Sequence, residues 1–413
     1  MKTVTVRDLG RVVTGHTPPT KKREYYGDFY PFVKPTDMII GNKYTYHTEE
    51  GYSKLAYEKY NTSLIPKGST CVVCIGTLGE KMTMAHCDLF TNQSVNSIIP
   101  NDEYDNHYVY YLLKYNLGKV KALNKGTASG REFVSKTTFL DMMILVHEDK
   151  KTQHKIGQIL SAYDELIENN QKQIKLLEEA AQRLYKEWFV DLRFPGHENT
   201  PITDGIPEGW TLKTVSECLE MHIGGGWGKE TPTGKNSIPA KVIRGTDINN
   251  IKSGDFSDVP LRYHSENDIK TRSLKSGDII FELSNGNINN IGRSLLLDDL
   301  MLKRCGQNTI CASFCKLFRP LDEQHSIILY LEIQEMQESG RMLPFKKQGS
   351  NGINNFAFDD FLQHKLIVPN TGFNMYPFVN IIKQISNLQS QFSLLIDARD
   401  RLLPKLMSGE LEV

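Results

Sequence analysis

The chain has 413 residues, 49 Lys+Arg balanced by 49 Asp+Glu, 39% hydrophobic and 24% charged. This is the composition of a folded protein of roughly two to four domains, and it excludes disordered, collagenous and disulfide-stapled miniature classes. Zero net charge removes a global basic field, Met1 to Gly10 lacks an apolar signal core, and no run approaches about 18 uninterrupted apolar residues, so a cytoplasmic protein with no membrane partner is expected.

Residues 1–150 alternate short apolar runs with Gly, Pro, Asn and Asp punctuation, which predicts strands near Cys71–Ile75, Val95–Ile99 and Met142–Val146 and a helix from Asn106 to Leu123. From Thr152 the pattern changes. Ile156, Leu160, Tyr163, Ile167, Asn170, Ile174, Leu177, Ala181, Leu184 and Trp188 recur at steps of four and three, the apolar seam of a coiled coil with Asn170 as its polar member. Residues 195–210 are crowded with breakers and read as a linker. Residues 211–375 return to the first pattern, with strands near Asp278–Glu282 and Leu362–Val368 and a helix from Glu323 to Ser339. A second seam then follows Pro377: Phe378, Ile381, Ile385, Leu388, Phe392, Leu395, Arg399, Leu402 and Leu406, with Arg399 as the charged exception.

The chain repeats itself at a period near 210 residues. Thr5 to Gly15 answers Thr214 to Gly224, Val33 to Asp37 answers Ile243 to Asp247, and Pro66-Lys67-Gly68 answers Lys275-Ser276-Gly277. Asn92-Gln93 answers Gly306-Gln307, the Gly126 to Gly130 loop answers Gly349 to Gly352, and Ile174 to Phe189 lies over Phe392 to Met407 without a gap. Collinear matches of this kind indicate duplication. Neither helix can bury its stripe alone, so the two are expected to pack on each other as a rod of about 45–50 Å. Two similar but non-identical domains on such a rod suit an interrupted, asymmetric duplex site whose halves lie at most one and a half duplex turns apart, about 50 Å with one turn of roughly 34–36 Å.

These residues resemble a known family, the specificity (S) subunits of type I restriction-modification enzymes. The resemblance spans the chain. It rests on Gln153 to Leu160 running into Leu176 to Phe189, on Gly205 to Trp210 opening the second half, and on the terminal run Arg401 to Leu411. Gly15, Pro18, Tyr26, Thr36-Asp37, Lys67-Gly68 and Asn92-Gln93 look like parts of that family's target recognition domains. The fold expected is α+β: two tandem α/β target recognition domains (1–150 and 211–375) separated by two long helices (151–194 and 376–413) packing as an antiparallel coiled coil, with a pseudo-twofold internal repeat. The resemblance implies a non-catalytic DNA sequence-specificity subunit. Each domain would read half of a bipartite site in double-stranded DNA, while the helices set the spacing and dock two adenine-N6 methyltransferase (M) subunits, with motor-nuclease (R) subunits completing the complex.

Enzyme chemistry is poorly supported. No cofactor loop accompanies an Asn/Asp-Pro-Pro-aromatic motif, and Gly224 to Glu230 departs from a phosphate loop because Glu230 stands where a Ser/Thr is needed. No catalytic residue and no metal ligand is therefore assigned, and no cofactor is expected on this chain; S-adenosylmethionine, ATP and Mg are implied for partner subunits. Cys71 and Cys74 face opposite sides of a strand, so they are expected to be core thiols, as are Cys305, Cys311 and Cys315. Two alternatives stand beside this reading: a stand-alone nuclease or methylase using Asp141, Glu148 and Lys150, and a coiled-coil scaffold without DNA binding. The candidate DNA contacts are Lys21, Lys22, Arg23, Lys43, Tyr44, Lys125, Ser129 and Arg131 in the first half. In the second they are Lys229, Lys235, Arg244, Asn285, Asn287, Lys346, Lys347 and Asn351, chosen because phosphates need local Lys/Arg and base edges accept Asn, Arg and Lys.

Overall fold

The computed structural model describes residues 1–124, 126, 132–306, 308–349 and 352–413. The chain divides into two compact units, one made of Met1–Glu168 with Leu395–Val413, the other of Asn169–Leu394. The division falls inside both long helices, Lys150–Tyr185 and Tyr376–Ser408.

In the first unit an antiparallel ribbon pairs Lys2–Thr5 with Met143–Val146. A four-stranded antiparallel sheet follows in the order Gly10–Thr14, Val95–Pro100, Thr70–Val73, Met82–Met84. A second sheet, in the order Glu50–Tyr52, Tyr26–Val33, Phe90–Thr91, contains one parallel pairing, Phe32 opposite Phe90. Strand alternation decides which core each side chain joins: Cys71 and Val73 face Val13 and Val33, whereas Val72 and Cys74 face Ile98 and Tyr108. The two thiols therefore do point apart.

The second unit repeats this plan and adds a three-stranded sheet in the order Ser284–Asn285, Asn354–Phe356, Lys346–Lys347. Its ribbon pairs Thr211–Thr214 with Lys365–Val368. Its four-stranded sheet runs Leu219–Gly224, Cys315–Pro320, Ile279–Glu282, Ser294–Leu296. Its other three-stranded sheet runs Leu261–His264, Ile238–Ile243, Thr309–Cys311, again with the last pairing parallel. Local devices recur too: Asp8 accepts from Thr5 N–H as Glu217 accepts from Thr214 N–H, and Asp37 accepts from Lys34 N–H as Asp247 accepts from Arg244 N–H.

The structure corrects two of the repeat matches. Gly15 N–H donates to Val95 O and Gly225 N–H to Cys315 O, on corresponding strands, so Gly15 answers Gly225 and not Gly224. A bulge between Leu219 and Met221 supplies the extra residue. The equivalent of Asn92 is Ala312, because Thr91 and Cys311 end the matching parallel strands. The helix Asp299–Cys305, just ahead of the second of those strands, has no counterpart before Phe90, which displaced the match to Gly306-Gln307. Gln307 itself lies outside the described residues.

Three element boundaries also differ from expectation. The helix expected from Asn106 to Leu123 is two, Asn106–Tyr115 and Leu117–Ala122, because the side chain of buried Asn116 donates to Leu112 O and interrupts the ladder. Leu362 ends a helical turn, Phe358–Leu362, before the strand Lys365–Val368. The breaker-rich stretch 195–210 folds as a hairpin, Ile202–Thr203 with Ile206–Pro207, tethered by buried Phe194 and Trp210, whose rings lie 4.5 Å apart.

In each unit the largest hydrophobic cluster is built from sheet residues and that unit's share of the helices. In the first, Ile156 and Leu160 pack with Leu403, Leu406, Met407 and the aromatic helix Asn106–Tyr115. Arg399 lies opposite Asp164 there, so these helix segments run antiparallel. In the second, Trp188 meets Phe378 with ring centroids 5.2 Å apart, the same antiparallel sense. Burying each such side chain contributes about 1.5–3 kcal/mol, so the helices are part of the domain cores as well as a seam. Of the expected seam, Ile167, Asn170, Ile174, Ala181 and Phe392 are buried, while Tyr163, Leu177, Leu184, Ile381, Ile385, Leu388, Leu395 and Leu402 are half-buried.

Candidate nucleic-acid interface

Among the described residues the candidate contacts lie on connecting segments, apart from Asn285, Lys346 and Lys347 in short strands, and they differ in what each side chain already holds. Lys21, Lys22 and Arg23 are all exposed, with the Lys22 ammonium 5.8 Å from the Tyr25 ring and the Arg23 guanidinium 5.8 Å from the Tyr26 ring. Lys229 and Lys235 are exposed on a turn whose base is held by Lys229 pairing with Tyr263. Lys21, Lys22, Lys229 and Lys235 are available to phosphates, while exposed Arg23 lies 3.8 Å from Glu50.

Lys43 is a correction. Its side chain is buried, with Nζ 2.8 Å from Ser161 Oγ and 2.9 Å from His107 Nδ1, so it ties the recognition loop to the central helix and cannot meet DNA. Burial pushes its ammonium down to about 8. Tyr44 beside it is half-buried, its hydroxyl pushed up to about 12 by the same desolvation.

Others are already engaged, Arg244 and Asn285 largely within their own turns and Lys346 and Lys347 by neighbouring elements. Arg244 chelates Asp247 and donates to Asp258 O, which raises its already high basicity. Asn285 donates to Glu282 Oε1 and accepts from Asn287 N–H, while exposed Asn287 accepts from Asn289 N–H. Lys346 donates to Gln337 Oε1, and Lys347 lies 3.4 Å from Asp360. Lys125, Ser129, Arg131 and Asn351 lie outside the described residues.

The carboxylates considered for a nuclease go to separate partners. Asp141 pairs with Arg7 at 2.5 Å, Glu148 with the N-terminal ammonium at 3.2 Å, and Lys150 donates to Asp102 O. Among the described residues no group of three or more His, Cys, Asp or Glu is placed to hold a metal, and no helix is long and apolar enough to cross a membrane. All seven cysteines are free thiols, six of them buried.

Two surface features escaped the charge-based reading. His16 is exposed with its ring 4.4 Å from Tyr60, and Trp227, in the glycine-rich segment after Gly224, is exposed with the Arg262 guanidinium 4.5 Å from its ring centroid. The sequence signal was present, an aromatic among glycines, but a search for Lys and Arg passes over it.

Residues 1–179 match the family described as type I restriction modification DNA specificity domain. Along its full length the chain is similar to the type I restriction enzyme MjaIX specificity subunit of Methanocaldococcus jannaschii, at 28% identity over 99% of this chain and 93% of that one. A shorter region, 26% of the chain, is 37% identical to the HindI specificity subunit of Haemophilus influenzae, covering 23% of it. The crystal structure of a type I restriction-modification S subunit from M. genitalium shares the fold, with a TM-score of 0.59 at 16% identity, covering 98% of this chain and 95% of that one. The first part of the chain thus matches the type I restriction modification DNA specificity domain, and the whole chain is similar in sequence to a type I restriction enzyme specificity subunit.

Proposed function

We propose that this chain is the non-catalytic, sequence-reading subunit of a type I restriction-modification complex, with each recognition domain reading one half of an asymmetric bipartite site in double-stranded DNA. The observation that carries this reading is the repeated strand order of the two units combined with unlike loops: one scaffold used twice, presenting Lys21 to Arg23 in one copy and Trp227, Lys229 and Lys235 in the other. A shared scaffold with different tips is what a read-out of two different half-sites requires.

The helices set the spacing of the half-sites and recruit two adenine-N6 methyltransferase subunits; exposed Ile159, Leu166 and Leu176 on the central helix support that docking role. Motor-nuclease subunits join in the restriction form. S-adenosylmethionine, ATP and Mg are handled by those partners, and the complex works in the cytoplasm. The test is to map N6-methyladenine in a genome with and without this gene, beside its methyltransferase. One interrupted, non-palindromic motif that disappears with the gene is expected. Methylation by the isolated chain, or no change on deletion, overturns the proposal.

A further inference from the structure

The loops bearing His16 and Trp227 occupy equivalent places in the two units. In the first, Gly15 N–H donates to Val95 O at 3.1 Å and His16 N–H to Thr91 O at 2.8 Å. In the second, Gly225 N–H donates to Cys315 O at 3.0 Å and Gly226 N–H to Cys311 O at 2.9 Å. A Cβ at either leading glycine would lie 2.2 Å from a carbonyl oxygen, so both loops are cinched against the same pair of strands. Each then presents one ring to solvent from a rigid base.

Neither ring is loose. His16 lies against Tyr60, whose neighbour Tyr52 donates its hydroxyl to His16 O at 2.5 Å. Trp227 is 39% exposed and is backed by Arg262, whose guanidinium is held in turn by Glu230 at 3.1 Å. The other two tryptophans, Trp188 and Trp210, are buried, which makes Trp227 the exception among them. An exposed, preorganised π-face, backed by the Tyr60 ring at His16 and by the Arg262 cation at Trp227, is an arrangement that stacks on a nucleobase or meets a thymine methyl, and ordering it beforehand lowers the entropy cost at binding.

We propose that His16 and Trp227 are paired base-contacting tips, each touching a nucleobase of its own half-site, with Tyr60 and Arg262 fixing the ring orientations. The indole is a donor only, whereas the imidazole both donates and accepts, so the two tips, one residue apart in register on equivalent loops, read different base features. This rests on the reading of the chain as a DNA-specificity subunit.

The experiment uses the full chain with its methyltransferase and a duplex of about 30 base pairs carrying the motif mapped in the host genome. Trp227→Ala and His16→Ala are each expected to weaken binding about tenfold, with Trp227→Phe retaining most of the affinity. Remapped methylation is expected to show His16→Ala loosening base choice in one half of the motif and Trp227→Ala in the other. Binding within twofold of wild type with an unchanged motif overturns the proposal, and so does equal loosening of both halves, which marks a general structural effect. If the wild-type complex itself shows no salt-dependent binding to the duplex, the DNA-specificity reading falls and takes this inference with it.

Discussion

Arg399 Nη1 lies 2.6 Å from Asp164 Oδ1, and neither side chain is more than 5% exposed. The charge that breaks the apolar seam of the C-terminal helix is thus answered by a carboxylate from the central helix, which also accepts from Tyr111 OH at 2.5 Å. Three elements, the two helices and the domain helix Asn106–Tyr115, meet at one carboxylate.

Removing one partner strands the other in the core. Asp164→Ala is expected to cost about 3–5 kcal/mol, because Arg399 stays charged and buried with only Asp400 beside it. Urea unfolding of the purified chain measures this. A loss below about 1 kcal/mol means the pair is solvated in solution.

Lys43 makes stability depend on alkaline pH. Its ammonium is pushed down to about 8 from an ordinary 10.5, so between those values the unfolded chain holds a proton that the folded chain has released. Stability therefore rises with pH across that window; below it the desolvation cost is fully present, and above it the lysine is neutral in both states. Relative to Lys43→Met, the wild type should gain about 2–3 kcal/mol between roughly pH 7.5 and 10, read by denaturant titration. A constant gap between the two proteins contradicts the burial.

The one-residue offset in the repeat has its own test. Gly225→Ala drives a methyl to 2.2 Å from Ala312 O and is expected to destabilise by about 1–3 kcal/mol or more, whereas Gly224→Ala meets nothing within 4 Å and should be close to neutral. Melting temperatures of the two variants decide it: reversed sensitivities would restore Gly224 as the partner of Gly15.

Phosphate contacts are separable from structural lysines by salt. Lys229→Ala and Lys235→Ala should each weaken duplex binding regardless of sequence and lower the log–log salt slope by about 1, while Lys43→Ala leaves the slope unchanged. Binding titrations between roughly 50 and 200 mM salt measure all three. A slope that falls with Lys43→Ala and not with the others inverts the assignment.

Much of the fold was legible because periodicity is a local property. The steps of four and three from Ile156 to Trp188 mark a buried helix stripe whatever surrounds it, and the unbroken apolar run from Cys71 to Ile75 marks a strand buried on both faces. Register was less legible. A bulge of one residue at Leu219 to Met221 and the helix Asp299–Cys305 shift the second copy without leaving a pattern in composition.

The candidate site divides along the same line. That Lys21, Lys22, Arg23, Lys229 and Lys235 are cations on breaker-rich segments is a property of the chain itself, and their exposure follows from the cost of burying a charge. That Lys43 is buried despite this cost follows from which surfaces meet across distant parts of the chain, whereas Arg244 is held by Asp247 three residues on, inside its own turn.

The sequence by itself determined the duplication, the two amphipathic helices and the strand content, because residue order sets hydrophobic period and local backbone preference. Only the tertiary structure decided that Asp164 answers Arg399, that Lys43 is buried, and that His16 and Trp227 stand at equivalent loops. Each of those depends on residues from 35 to 235 positions apart being brought into contact or into register, and burial, pairing and exposure are properties of that contact rather than of any residue alone.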